Sequence, residues 1–150
     1  MFSPFPQPTP PDCAARVDGF GRRYYQTLGI DRADAVSRAR QSGRGLVFFD
    51  APVGLIFTTQ ASLTRHSWLD CGLFLQSLML AAHVRGVATC PQVQFARFQS
   101  IIAEHLALGP DEVVTCGASC GYADEDAAVN HMGMPREPVE GLARWLGFDD

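Results

Sequence analysis

Charge is scarce in this chain, and long apolar runs and a paired cysteine framework are missing. Only 19% of its 150 residues are charged and the formal net charge is −4. No broad positive field is therefore available to draw in a nucleic-acid backbone or an anionic lipid surface, and neither is expected as a partner. The central apolar run between Asp70 and His83 falls short of the about 20 residues that a membrane helix needs, so no span is predicted. Five cysteines, an odd number, follow an N-terminus with neither a basic start nor a continuous apolar stretch. Free thiols in a reducing compartment, and so a cytoplasmic location, are the expectation. There is no internal repeat, P-loop, dinucleotide glycine fingerprint or Ser-His-Asp arrangement. The histidines at 66, 83, 105 and 131 fall on separate elements, and His83 and His105 suit helix C-termini better than a metal. Cys116 and Cys120 share one face of a strand without a second ligand pair, which fits small buried fillers and not zinc.

What the chain does have is apolar surface. Hydrophobic residues make up 47%, on the high side for a chain that stands alone and suited to burial against a second subunit. The length fits one domain. Residues 1–11, with their repeated prolines, predict an extended arm, and residues 12–150 the domain itself. Val17, Phe20, Tyr24 and Leu28 recur at helical spacing, with Gly29 as the stop. Asp31 predicts the cap of a second, surface helix through about Arg40. After Gly43 and Gly45, the run Leu46 to Phe49 leads past Asp50 and Pro52 to an internal strand over Val53 to Thr59. Ser67 with Asp70 has the pattern of a capping box. The helix from Ser67 to Gly86 is apolar around most of its circumference, which places it inside the protein or in an interface. Val87 to Cys90 predicts a short extended link into a turn, then a helix over Phe95 to Leu106 that stops before Gly109-Pro110. Val113 to Tyr122 predicts a second internal strand, and Pro138 to Leu146 a last helix.

Three segments carry a resemblance: Phe48-Phe49-Asp50-Ala51-Pro52-Val53-Gly54, Ser67-Trp68-Leu69-Asp70-Cys71-Gly72 running on to Gly86, and Val87-Ala88-Thr89-Cys90-Pro91-Gln92. Together they resemble the nitroreductase family, over roughly the last two thirds of a typical member. The resemblance implies an α+β fold, a three-layer α-β-α sandwich incomplete at its N-terminus, built around a small antiparallel sheet with helices on both faces. It implies a homodimer with the apolar helix at its centre. It also implies FMN as cofactor and a ping-pong transfer of hydride from NAD(P)H to a nitroaromatic, quinone or similar acceptor. Such catalysis asks the protein to bind and orient the flavin more than to supply an acid or base, so no catalytic side chain is assigned. By resemblance, Cys90, Pro91, Gln92 and Val93 lie along the flavin and Arg136 reaches its phosphate. Taken by themselves, Thr89 to Val93 also fit an ordinary strand-to-helix turn, and Arg136 a solvated charge or a partner for Glu137 or Glu140.

The sequence departs from the family pattern in three places. The basic N-terminal segment that grips the phosphate is missing; Gly45, Leu46 and Val47 precede the Phe48-Phe49 pair; and Arg136 is preceded by Met132, Gly133, Met134 and Pro135. Each missing charge-assisted bond is worth about 1.5–3 kcal/mol. Two alternatives to a working flavoenzyme therefore stay open: a non-catalytic truncated remnant or interaction module that pairs with a full-length nitroreductase, and a start codon upstream of Met1.

Overall fold

The computed structural model describes residues 7–147. Most of the expected proline arm, residues 1–6, lies outside them; Pro10 has polyproline dihedrals of φ −56° and ψ 141°. Helix α1 (Pro11–Thr27) begins on a proline, at the position where its missing N–H leaves no hydrogen bond unmade. Its expected apolar face forms, with the Phe20 and Tyr24 rings stacked at 5.5 Å, and Gly29 closes it at φ +66°.

Helix α2 (Ala35–Arg44) starts later than Asp31 predicts. The Asp31 carboxylate instead accepts from the Ala33 amide at 2.7 Å in a local turn, and Asp34 caps the helix by accepting from the Ser37 amide at 2.9 Å. An aspartate that finds a donor two residues on serves a turn in place of a cap. The helix lies on the surface, with no buried residue.

The sheet is three-stranded and antiparallel in the order β1-β3-β2, with β1 at Val53–Gln60, β2 at Ala88–Gln92 and β3 at Glu112–Gly121. Of the two strands expected to be internal, only β3 is flanked on both sides; β1 is an edge among the described residues. The register slips once, between Phe57 and Thr58. The extra residue opposite is Thr115, whose hydroxyl donates to the Phe57 carbonyl at 3.0 Å, so the bulge leaves that oxygen satisfied. Strand β2 covers only Gly117–Gly121 of β3. Further along that edge, the Gln99 amide takes the place of a strand, donating to the Glu112 carbonyl at 2.9 Å and accepting from the Val114 amide at 2.6 Å.

Helix α3 (Arg65–His83) is capped by Thr64, not by Ser67. The threonine lies just before the first helical turn, where a hydroxyl can reach the free His66 amide. Its far end is as expected: Gly86, at φ +71°, lets the Val87 amide turn back to the Ala82 carbonyl at 3.0 Å. The Phe95 helix is broken. A 3-10 segment spans Val93–Phe98 and α4 spans only Gln99–Leu106. Helix α5 shrinks to Val139–Leu142, with Ala143 already extended, and Trp145 and Leu146 beyond it are exposed.

Helix α3 packs across β1 and β2 on one face of the sheet, while the 3-10 segment and α4 pack on β3 from the other. This is the three-layer α+β arrangement. The core is thin: Phe95, Ala96, Val114, Cys116 and Ala118 are its buried apolar residues. No residue of α3 is buried: one side packs on the sheet, and Leu69, Leu73 and Leu80 are left exposed, so of the two places expected for this helix, inside the protein or in an interface, the described chain does not supply the first.

Candidate functional site

In a strand, neighbouring side chains point to opposite faces, so the register sorts the predicted flavin contacts. Cys90 pairs with Ser119 and Gln92 with Gly117, while Pro91 pairs with Ala118 between them. Cys90 and Gln92 therefore share the face that the 3-10 segment covers, and Pro91 lies on the α3 face. Residues expected to form a turn are thus an edge strand, where a proline without an N–H is tolerated. Val93 is exposed at the start of the 3-10 segment.

Gln92 is 6% exposed. Its Nε2 donates to the Gly45 carbonyl, and its Oε1 is buried with no partner. Leaving an acceptor in that state costs about 1–3 kcal/mol. A side chain at Gly45 would displace the Gln94 amide from its present position. The Cys90 thiol is pushed above its ordinary pKa by desolvation, a rise that hydrogen bonding to Ser119 opposes. At neutral pH it is a thiol, not a thiolate nucleophile.

The segment Gly45–Asp50 is a 3-10 turn distorted at its end: Phe48, Phe49 and Asp50 have φ of 54°, 55° and 63°. Left-handed backbone is costly for bulky residues, and three contacts hold it. The Phe48 ring stacks on Phe95 with centroids 4.7 Å apart. Gly54 leaves room beneath Phe48, since a Cβ there would stand 2.5 Å from the ring. Arg44 pairs with Asp50 at 2.9 Å. Phe49 is thereby turned into a groove.

That groove, of about 1,480 Å³, lies among α1, α2, the Gly45–Asp50 turn and the stretch from Cys90 to Arg97. It is roomier than the roughly 300–1,000 Å³ of an ordinary ligand pocket. Phe20, Tyr24, Tyr25 and Phe49 supply aromatic surface, and Arg22, Arg32, Arg38 and Arg97 stand against Asp18 and Asp31. The lining is positive although the chain as a whole is negative. Of the predicted flavin contacts only Cys90 lines this groove. Arg136 is exposed on the loop before α5 and is not part of the lining. Phe49, Gln94 and Arg97 were missed by sequence reasoning, because Arg97 reads as one more charge on a helix and Phe49 as part of a buried run.

Among the described residues, no cluster of His, Cys, Asp or Glu could hold a metal ion. Nor, among the described residues, is any helix long and apolar enough to cross a membrane.

Residues 15–122 match the nitroreductase family. The chain belongs to that family. It is 52% identical over 134 residues to a 4-nitrobenzoate reductase of Pseudomonas putida, covering 89% of this chain and 59% of that protein. It is 40% identical over 136 residues to a nitrobenzene nitroreductase of Ectopseudomonas oleovorans, covering 91% and 60%. The crystal structure of the FMN- and NADPH-dependent nitroreductase NfnB from Sphigopyxis sp. strain HMH superposes with a TM-score of 0.94 at 33% identity, covering 98% of this chain and 66% of that one. The chain thus spans about three fifths of the length of these curated relatives.

Proposed function

We propose that this nitroreductase-family chain binds FMN and takes part in reducing nitroaromatic or quinone-type acceptors with NAD(P)H. The observation that carries the reading is the fold: nearly the whole chain superposes on an FMN- and NADPH-dependent nitroreductase. The residues present fit the cofactor in one specific respect. The unpartnered Gln92 Oε1 is a buried acceptor, and the pyrimidine ring of an isoalloxazine offers an N–H donor. Flavin, when bound, supplies the hydride chemistry. The chain's part is to bind and orient: Gln92 is fixed by Gly45, Cys90 and Val93 border the approach, and Arg136, exposed and without an acidic partner among the described residues, is free to meet a phosphate oxygen pair.

The working unit in this reading is a homodimer in the cytoplasm. Support for the dimer comes from Leu69, Leu73, Phe74 and Leu80 on α3, all exposed, since apolar side chains grouped on one exposed helix mark an interaction surface. Support for the compartment comes from five free cysteines. The relatives named above are reductases, and none is described as a non-catalytic module.

The experiment is a fluorescence titration of FMN with the wild-type chain and two variants. Gln92→Leu removes the acceptor while keeping volume, and Arg136→Ala removes the cation. Each is expected to raise the FMN dissociation constant at least tenfold with an unchanged circular dichroism spectrum. An unchanged constant in either variant removes that residue from the site.

A further inference from the structure

The groove's arginines are not equivalent. Arg22 and Arg32 both pair with Asp18, at 2.8 and 3.2 Å. Arg38 lies over the Tyr25 ring, 5.1 Å from its centroid, and donates to the Arg32 carbonyl. Arg97 has no acidic, aromatic or hydrogen-bonding partner among the described residues. It lines the main groove and also a smaller adjoining cavity of about 320 Å³ beside Phe98 and α2, so it stands at the wall the two share. Phe49 lines the same groove, held at φ 55°.

We propose that this groove selects aromatic carboxylates among acceptors, with the Arg97 guanidinium holding the carboxylate and Phe49 packing on the aromatic ring. The inference rests on the nitroaromatic-reductase reading and adds the acceptor's charge and the residue that recognises it. A guanidinium is planar and presents paired N–H donors that match a carboxylate. A single guanidinium fork is enough to hold the two oxygens of one carboxylate, and Arg97 has no acidic partner among the described residues. An aromatic side chain fixed beside it gives the ring an offset-stacking surface, and the left-handed backbone at Phe49 is the kind of strain that persists where a side chain's position matters. The neighbourhood of paired arginines adds a positive field that focuses anions into the groove.

The test is calorimetric titration of the chain with 4-nitrobenzoate and with its neutral counterpart 4-nitrobenzamide, for the wild type, Arg97→Ala and Arg97→Lys. The wild type is expected to bind the benzoate at least tenfold more tightly than the amide. Arg97→Ala should abolish that preference, and Arg97→Lys should restore part of it. Because Arg97 is exposed and makes no ion pair or side-chain hydrogen bond among the described residues, folding of the variants should match the wild type by circular dichroism. Equal wild-type affinities for the two compounds, or an undiminished preference in Arg97→Ala, overturns the proposal. FMN is titrated in parallel. A tenfold loss of FMN affinity in Arg97→Ala would assign the arginine to the flavin phosphate and overturn the acceptor role. The nitrobenzoate titration needs no flavin, so failure of the wild type to bind FMN would count against the proposed function and leave this measurement readable.

Discussion

Single residues at the site divide by how much of their role a sequence can carry. Cys90, Pro91 and Gln92 could be named because they form a contiguous motif, but which of them face the same way depends on β2 pairing with β3, and that pairing is non-local. The orphaned Oε1 of Gln92 depends on Gly45, 47 residues away, and no local pattern announces it. Two thiols make a prediction at this scale. Desolvation raises the pKa of the buried Cys116 and also that of Cys90, whose surface is largely exposed, against a smaller lowering by hydrogen bonds from Thr115 and Ser119 respectively. A group whose folded pKa is raised adds stability that is fully present below its unfolded value and is lost as pH rises through the folded one. Since an unfolded thiol titrates near about 8.5, the loss should begin in mildly alkaline solution. Denaturant unfolding of the wild type and of a Cys90→Ala/Cys116→Ala variant, followed from neutral to alkaline pH, checks it. The variant should lose less stability over that range, and parallel losses would show that these thiols are not the cause.

At the scale of elements, the helices and strands β1 and β3 were legible, their ends were less so, and β2, expected as a link into a turn, was not legible as a strand. Strand β3 and the Gly86 stop of α3 were readable because small, apolar residues and a single glycine act locally. The cap of α2 moved from Asp31 to Asp34 because two aspartates compete for nearby amides, and local spacing does not rank them. The Phe95 helix broke at Phe98 because Phe95 is drawn onto the sheet, against Gly117 and under Phe48. Gly117 therefore carries a packing role. A Cβ there would overlap the Phe95 ring, and because the Phe48 ring is stacked on Phe95, the left-handed Phe48–Asp50 turn depends on the same contact. Gly117→Ala is expected to cost about 1–3 kcal/mol by overpacking. Thermal or urea unfolding measures it, and a loss under half a kilocalorie per mole, on the order of surface substitutions, would show that Phe95 moves aside freely.

For the whole molecule, the composition signalled burial that the described chain does not supply. Apolar residues cover α3 in sequence, yet the helix packs on the sheet with no residue buried, and the core is small. Sequence periodicity distinguishes a helix that is apolar all round from an amphipathic one; it cannot say whether the covering surface is the same chain or another copy. A charge at the centre of that surface separates the two cases. Leu73→Asp, at a site 59% exposed in the single chain, should leave the secondary structure intact and convert a dimer to a monomer in light scattering. A variant that stays dimeric would place the interface elsewhere. The groove was illegible for a related reason: α1, α2, the Phe49 turn and Arg97 come together only in the folded chain.

The most direct test of this account is the affinity of the purified wild-type chain for FMN, followed by quenching of flavin fluorescence, with mass determined by light scattering on the same sample. Micromolar or tighter binding by a dimer is the result the account predicts. A folded, soluble chain that leaves flavin fluorescence unchanged would contradict it.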